Sequence, residues 1–162
     1  MRINTVGIYV GSVLVSLLMS VAPLSAADPV LGVWKLNLKK STYKPGPAPK
    51  SQIRTYEIEK DGVNTTVVNV DAEGKISTSK FKAYYDGKDY PITGESTTSA
   101  DALSYHKVDD HIAEVVLKHG DMIVANSVRS VSNDGMTLTI TYKGSDSRGV
   151  QVDDVSVYDR QK

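Results

Sequence analysis

Three histidines, two acidic doublets and nine tyrosines are the residues of this chain best suited to chemistry. A two-residue turn at Asp109-Asp110 would set His106 and His111 diagonally on one face of a hairpin. His119 shares the strand parity of His111. A metal site needs a third ligand. Glu114, three residues after His111, falls on the opposite face of a strand. The histidines therefore read as polar strand residues, and no metal ligand is assigned. Neighbours on a strand point apart, so neither Asp109-Asp110 nor Asp153-Asp154 is a preformed carboxylate dyad. The chain holds no HExxH, no GxSxG, no P-loop and no glycine-rich dinucleotide turn. Cysteine is absent, which excludes disulfides, thiolate ligands and cysteine nucleophiles. No catalytic residue and no cofactor are expected, and the chain does not read as an enzyme.

Tyrosine is the more informative type: nine, against one Phe and one Trp. Tyr56, Tyr84, Tyr105, Tyr142 and Tyr158 lie on predicted strands and are the candidate ligand contacts. A tyrosine offers an apolar ring and a hydroxyl, which suits a cavity for an amphipathic ligand. Tyrosine also simply favours strands, and the sequence leaves both readings open.

The elements that must position these residues are strands almost throughout. Asp61-Gly62 and Asp86-Gly87 are hairpin doublets, in which Gly tolerates the positive φ of a tight turn. Further turns stand at 71–74, 109–110, 120–121, 133–135 and 144–149. Met136 to Tyr142 alternates apolar residues with Thr, the period of a half-buried strand. His111 to Lys118 sets Ala113, Val115 and Leu117 on one face. About ten strands follow: 33–38, 52–60, 63–70, 75–85, 88–93, 102–108, 111–118, 122–131, 136–143 and 150–158. Short connections make consecutive strands pair as a meander. Closing that meander into a barrel of eight to ten strands removes its exposed edges. Such a barrel holds either packed side chains or one small ligand.

Two stretches interrupt the rhythm. Lys39 to Ser51 contains Pro45, Pro47 and Pro49, an extended loop. Gly94 to Asp101 is a polar run of Ser and Thr. Either shapes a barrel mouth or merely connects strands. Asp153-Asp154 splits the last strand between two parities. A bulge would keep one valine face buried; without it Ser156 and Tyr158 turn inward with Val150 and Val152.

Residues 1–27 differ in kind. One positive charge at Arg2 precedes an apolar stretch from about Val6 to Val21, then Ser25-Ala26-Ala27. This reads as a secretory signal cleaved before Asp28, with 28–162 as the barrel domain. Periplasmic or secreted localisation follows, with no membrane span after cleavage, and no Cys exists to carry a lipoprotein's lipid. The chain from Asp28 has a formal charge of −1, since Arg2 is the one charged residue removed. No basic excess points to nucleic acid.

The two ends of the mature chain carry a resemblance. Gly32-Val33-Trp34-Lys35-Leu36 opens it, and Val157-Tyr158-Asp159-Arg160 closes it. Around an all-β meander this resembles the calycin superfamily of lipocalins and fatty-acid-binding proteins, in its exported bacterial form. The resemblance implies a lipocalin-like barrel whose Trp34 closes the floor against Arg160. It also implies a carboxylate clamp of R-x-Y form in the last strand. Here the triplet is Ser156-Val157-Tyr158, so only the tyrosine matches. Arg54 or Arg129 would have to substitute, and each reads as an exposed strand residue.

The expectation is an all-β, antiparallel up-and-down meander closed into a lipocalin-like barrel of about 8–10 strands. It would be exported and would bind a small hydrophobic or amphipathic ligand in its interior. The alternative is a ligand-free envelope interaction module, whose interior would be filled.

Overall fold

The computed structural model describes residues 27–162. The segment read as a signal, apart from Ala27, lies outside the described residues. Ten strands follow one another: β1 (Gly32–Leu36), β2 (Ser51–Glu59), β3 (Gly62–Val70), β4 (Ile76–Tyr84), β5 (Tyr90–Gly94), β6 (Ala102–Lys107), β7 (Ile112–His119), β8 (Met122–Val131), β9 (Thr137–Ser145) and β10 (Gln151–Arg160). Each pairs antiparallel with the next, and β10 returns to β1, so the meander is a closed ten-stranded barrel. This is the expected architecture.

Period-2 patterning decides which side chains enter the barrel. On β9, Leu138 and Ile140 are buried while Thr137, Thr139 and Thr141 are not. On β7, Ala113, Val115 and Leu117 face in. On β4, Ser79, Phe81 and Ala83 do so. The apolar core gathers toward one end, around Trp34, Val30, Leu138 and Tyr158. The seam at β5 is the thinnest, with two residue pairs to β6 at Tyr90–Leu103 and Pro91–Ala102. Proline brings no N–H to a ladder, which keeps this pairing short.

Two local readings change. The positive φ of the first hairpin belongs to Lys60, at +43°, and not to Gly62. Gly62 is required because a Cβ there would collide with the Ala83 carbonyl of β4. The last strand carries no bulge: β10 stays in register with β9 from Gln151 to Asp159. Val152, Asp154, Ser156 and Tyr158 therefore face inward, and Val155 and Val157 do not.

The proline loop explains that choice. Strand β1 covers β10 only along Tyr158 to Arg160. Beyond it, residues 37–44 take the open edge: Thr42 and Val155 exchange backbone hydrogen bonds at 2.8 Å, and Asp153 N donates to Lys44 O at 2.8 Å. The loop thus behaves as an extension of β1 that leads the chain over one end of the barrel.

Candidate ligand-binding chamber

The end opposite that loop is sealed. Trp34 is fully buried, and its indole Nε1 donates to Val30 O at 2.7 Å. The Arg160 guanidinium lies 4.2 Å from the centre of the Trp34 ring. Its Nη1 donates to Leu31 O at 2.6 Å, and its other nitrogens reach the carbonyls of Pro29 and Gly135. The first described residues are thereby folded under the barrel as a plug. Trp34 and Arg160 stand where the sequence resemblance implied.

Above the plug sits a buried cation. Arg129 reaches in from β8, with Tyr56, Tyr85 and Tyr105 around it at 5.5, 5.4 and 5.0 Å from guanidinium carbon to ring centre. Its Nη2 donates to Tyr85 Oη at 2.6 Å, and Tyr85 in turn donates to the Asp28 carboxylate. Asp28 Oδ2 is 3.8 Å from Arg129 Nη2. Burial pushes the Tyr85 hydroxyl up to about 12, and pushes Tyr105 higher still.

The next layer is polar and opens upward. Tyr158 donates to Gln52 Oε1, and Arg54 Nε donates both to that oxygen at 3.0 Å and to Tyr158 Oη at 3.1 Å. Gln52 Nε2 donates to Asn69 Oδ1 at 3.0 Å. Four side chains from β2, β3 and β10 thus form one network across the barrel. Toward the rim, Tyr43 of the proline loop bonds Ser156 at 3.0 Å, and Asp154 Oδ1 accepts the Lys44 N–H at 2.9 Å. Burial, with Asp153 and Asp146 nearby, raises the Asp154 carboxyl above its ordinary range.

These groups line an open chamber of about 490 Å³. The proline loop forms one side of its mouth through Tyr43, Gly46, Pro47 and Pro49. The Ser/Thr loop forms another through Ser96, Thr97 and Thr98. That loop is tied down by a Thr98–Asp146 bridge and by Ser147 N donating to Thr97 O at 3.3 Å. A second space of about 80 Å³ lies beneath the Ser/Thr loop, among apolar side chains including Val67, Phe81, Leu103, Val115 and Leu117. Arg54, Ile140 and Tyr142 border both spaces.

Among the tyrosines expected to face a ligand, Tyr142 and Tyr158 line the chamber and Tyr105 lines the lower space. Tyr56 is buried against Arg129. Tyr84 is a correction: it follows inward Ala83, so it points outward, 3.4 Å from Glu59 and 5.4 Å from the Tyr90 ring. Its neighbour Tyr85 takes the interior place. Arg54 and Arg129 are a second correction. Both were expected to be exposed, and both lie inside. Parity carried the signal, since Gln52 and Arg54 share the phase of Tyr56 on β2. The histidines are not brought together: His111 Nδ1 meets Val131 O at 3.1 Å, and His119 meets Asp101 at 3.0 Å.

No family model matches the chain, and no curated protein matches it in sequence. Among solved structures, it is similar to the zebrafish ileal bile acid-binding protein complexed with cholic acid. The match has 12% identity and a TM-score of 0.48, over 82% of this chain and 99% of that one. Ten up-and-down strands closed over the stacked Trp34 and Arg160 decide the architecture. The fold is a closed, ten-stranded, antiparallel up-and-down barrel. Within this barrel the sealed end is packed around Trp34 and Arg160, and polar side chains such as Gln52, Asn69, Asp154 and Ser156 line the open end.

Proposed function

We propose that the protein binds one small amphipathic ligand in the barrel, as a carrier and not as an enzyme. The observation that carries this reading is the open chamber of about 490 Å³, within the range of about 300–1,000 Å³ typical of ligand pockets. A ligand would place apolar surface toward Ile140, Tyr142 and the lower space, at roughly 25 cal/mol for each Å² buried. The hydroxyls of Tyr43 and Tyr158 would orient its polar end. The rival reading, a ligand-free interaction module, calls for a filled interior, and the chamber weighs against it. Catalysis is not part of the proposal, because the histidines lie outside the chamber.

Export before Asp28 belongs to the same proposal and rests on the sequence of residues 1–27. Both parts are tested by expressing the full chain in a Gram-negative host and recovering it without detergent. Native mass spectrometry is expected to find a chain starting at Asp28 in the periplasm or medium, with an adduct that denaturation releases. A chain still carrying residues 1–27 would overturn export. A ligand-free mass that stays unchanged after exposure to an excess of the apolar dye N-phenyl-1-naphthylamine would overturn the carrier reading.

A further inference from the structure

Of the charged side chains that line the chamber, Lys75 pairs with Glu95 and Arg148 with Asp146, whereas two on the inward faces of their strands, Arg54 and Asp154, have no side chain of opposite charge as partner among the described residues. The first is Arg54. Its Nε is held by Gln52 Oε1 at 3.0 Å and Tyr158 Oη at 3.1 Å, both neutral groups. The other internal guanidinium, Arg129, differs in having Asp28 at 3.8 Å. The second charge is Asp154, whose Oδ1 accepts only a backbone N–H, that of Lys44 at 2.9 Å. Burial and the nearby acids Asp153 and Asp146 raise its carboxyl, an environment that favours an incoming cation.

Their placement along the chamber is also informative. Arg54 donates to Tyr158 Oη, in the layer beneath the rim groups Tyr43, Ser156 and Asp154, so it marks the inner end. Asp154 lies on the same inward face of β10 as Tyr158, four residues nearer the mouth. Four strand residues rise about 13 Å, and Tyr158 touches Arg54, so the two charges stand on the order of 10 Å apart. A desolvated charge without a countercharge costs free energy, and a ligand that supplies the countercharge recovers it.

We propose that the ligand is two-ended: an anionic group bound at Arg54, a cationic amine bound at Asp154, and an extended segment of about 10 Å between them. The inference rests on the chamber being a ligand site, and it names the class of molecule that site takes. A simple fatty acid satisfies only the inner charge, and a simple alkylamine only the outer one.

Calorimetric titration of residues 28–162 with 8-aminooctanoate, octanoate and octylamine tests it. The amino acid is expected to bind about tenfold more tightly than either single-charge compound. Asp154→Asn is expected to erase its advantage over octanoate, and Arg54→Gln its advantage over octylamine. Arg54→Lys keeps the charge and is expected to retain part of the advantage, which guards against a Gln variant that fails to fold. Octanoate or octylamine binding as tightly as 8-aminooctanoate would overturn the proposal, as would an Asp154→Asn variant with unchanged preference. The uncharged dye N-phenyl-1-naphthylamine separates the two levels. Dye binding without charge preference overturns the two-ended ligand alone; no dye binding overturns the chamber reading itself.

Discussion

Arg160 lies over Trp34, its guanidinium carbon 4.2 Å from the ring centre, and its nitrogens hold the carbonyls of Pro29, Leu31 and Gly135. One side chain from the end of β10 thereby joins the first described residues, the first strand and the β8–β9 turn. Gly32, at φ +124°, leaves room for it: a Cβ there would come within 2.7 Å of Arg160 Nη1.

Removing that clamp should loosen the sealed end first. Arg160→Met is expected to cost about 2–4 kcal/mol in urea unfolding, the sum of a stacked cation and charged hydrogen bonds. Arg160→Lys keeps the charge but not the fork, and should fall between the two. A loss below about 0.5 kcal/mol for the Met variant would show that the plug holds without it.

Asp28 and Arg129 should behave as one unit. Asp28→Asn leaves a buried guanidinium short of its countercharge, and a loss of about 1–3 kcal/mol is expected. In an Arg129→Met background the same substitution should cost much less. A double-mutant cycle by chemical denaturation measures the difference. Additive losses would mean that the 3.8 Å approach carries no coupling.

The buried tyrosines predict alkaline instability. Burial holds Tyr43, Tyr85 and Tyr142 near 12, against an ordinary 10.0. The unfolded chain loses these protons from about pH 10 upward, while the folded chain keeps them. Their contribution is therefore full below pH 10 and is lost as pH rises toward 12. The urea midpoint should fall across that window, and Tyr85→Phe should flatten the fall. A midpoint independent of pH from 9 to 12 would contradict the burial of these hydroxyls.

Gly144 tests the rim of the chamber. It faces Ala125 across β8 and β9, and a Cβ would collide with Ala125 and with the Val124 carbonyl. Gly144→Ala is expected to destabilise by about 1–3 kcal/mol through overpacking. Gly87→Ala meets no atom within 4 Å, and its cost should come only from its φ of +73°. Thermal melts of the two variants, compared side by side, separate collision from backbone strain.

The strands were legible because alternation and turn residues agree. The Thr ladder of β9 and the apolar face of β7 appear as the sequence reads them. The Trp34–Arg160 stack was legible through the resemblance of the chain ends. The interior charges were not, because charge was weighed above parity at Arg54 and Arg129. A barrel with a polar mouth reverses that weighting. Tyr84 and Tyr85 show the same limit: two adjacent tyrosines take opposite faces, and Phe81 and Ala83 decide which enters. The chamber was legible least of all. It exists because the proline loop follows β10 and the Ser/Thr loop is pinned at Asp146, contacts between segments far apart in the chain.

The central claim is that the open chamber holds a small ligand. The most direct test is fluorescence titration of residues 28–162 with N-phenyl-1-naphthylamine, in parallel with two chamber-filling variants, Ser77→Trp and Thr97→Trp. Both positions line the chamber from different sides. The prediction is saturable binding of one dye per chain, weakened at least about tenfold in each variant while far-ultraviolet circular dichroism is unchanged. No saturable binding, or equal binding in folded variants, would contradict the claim.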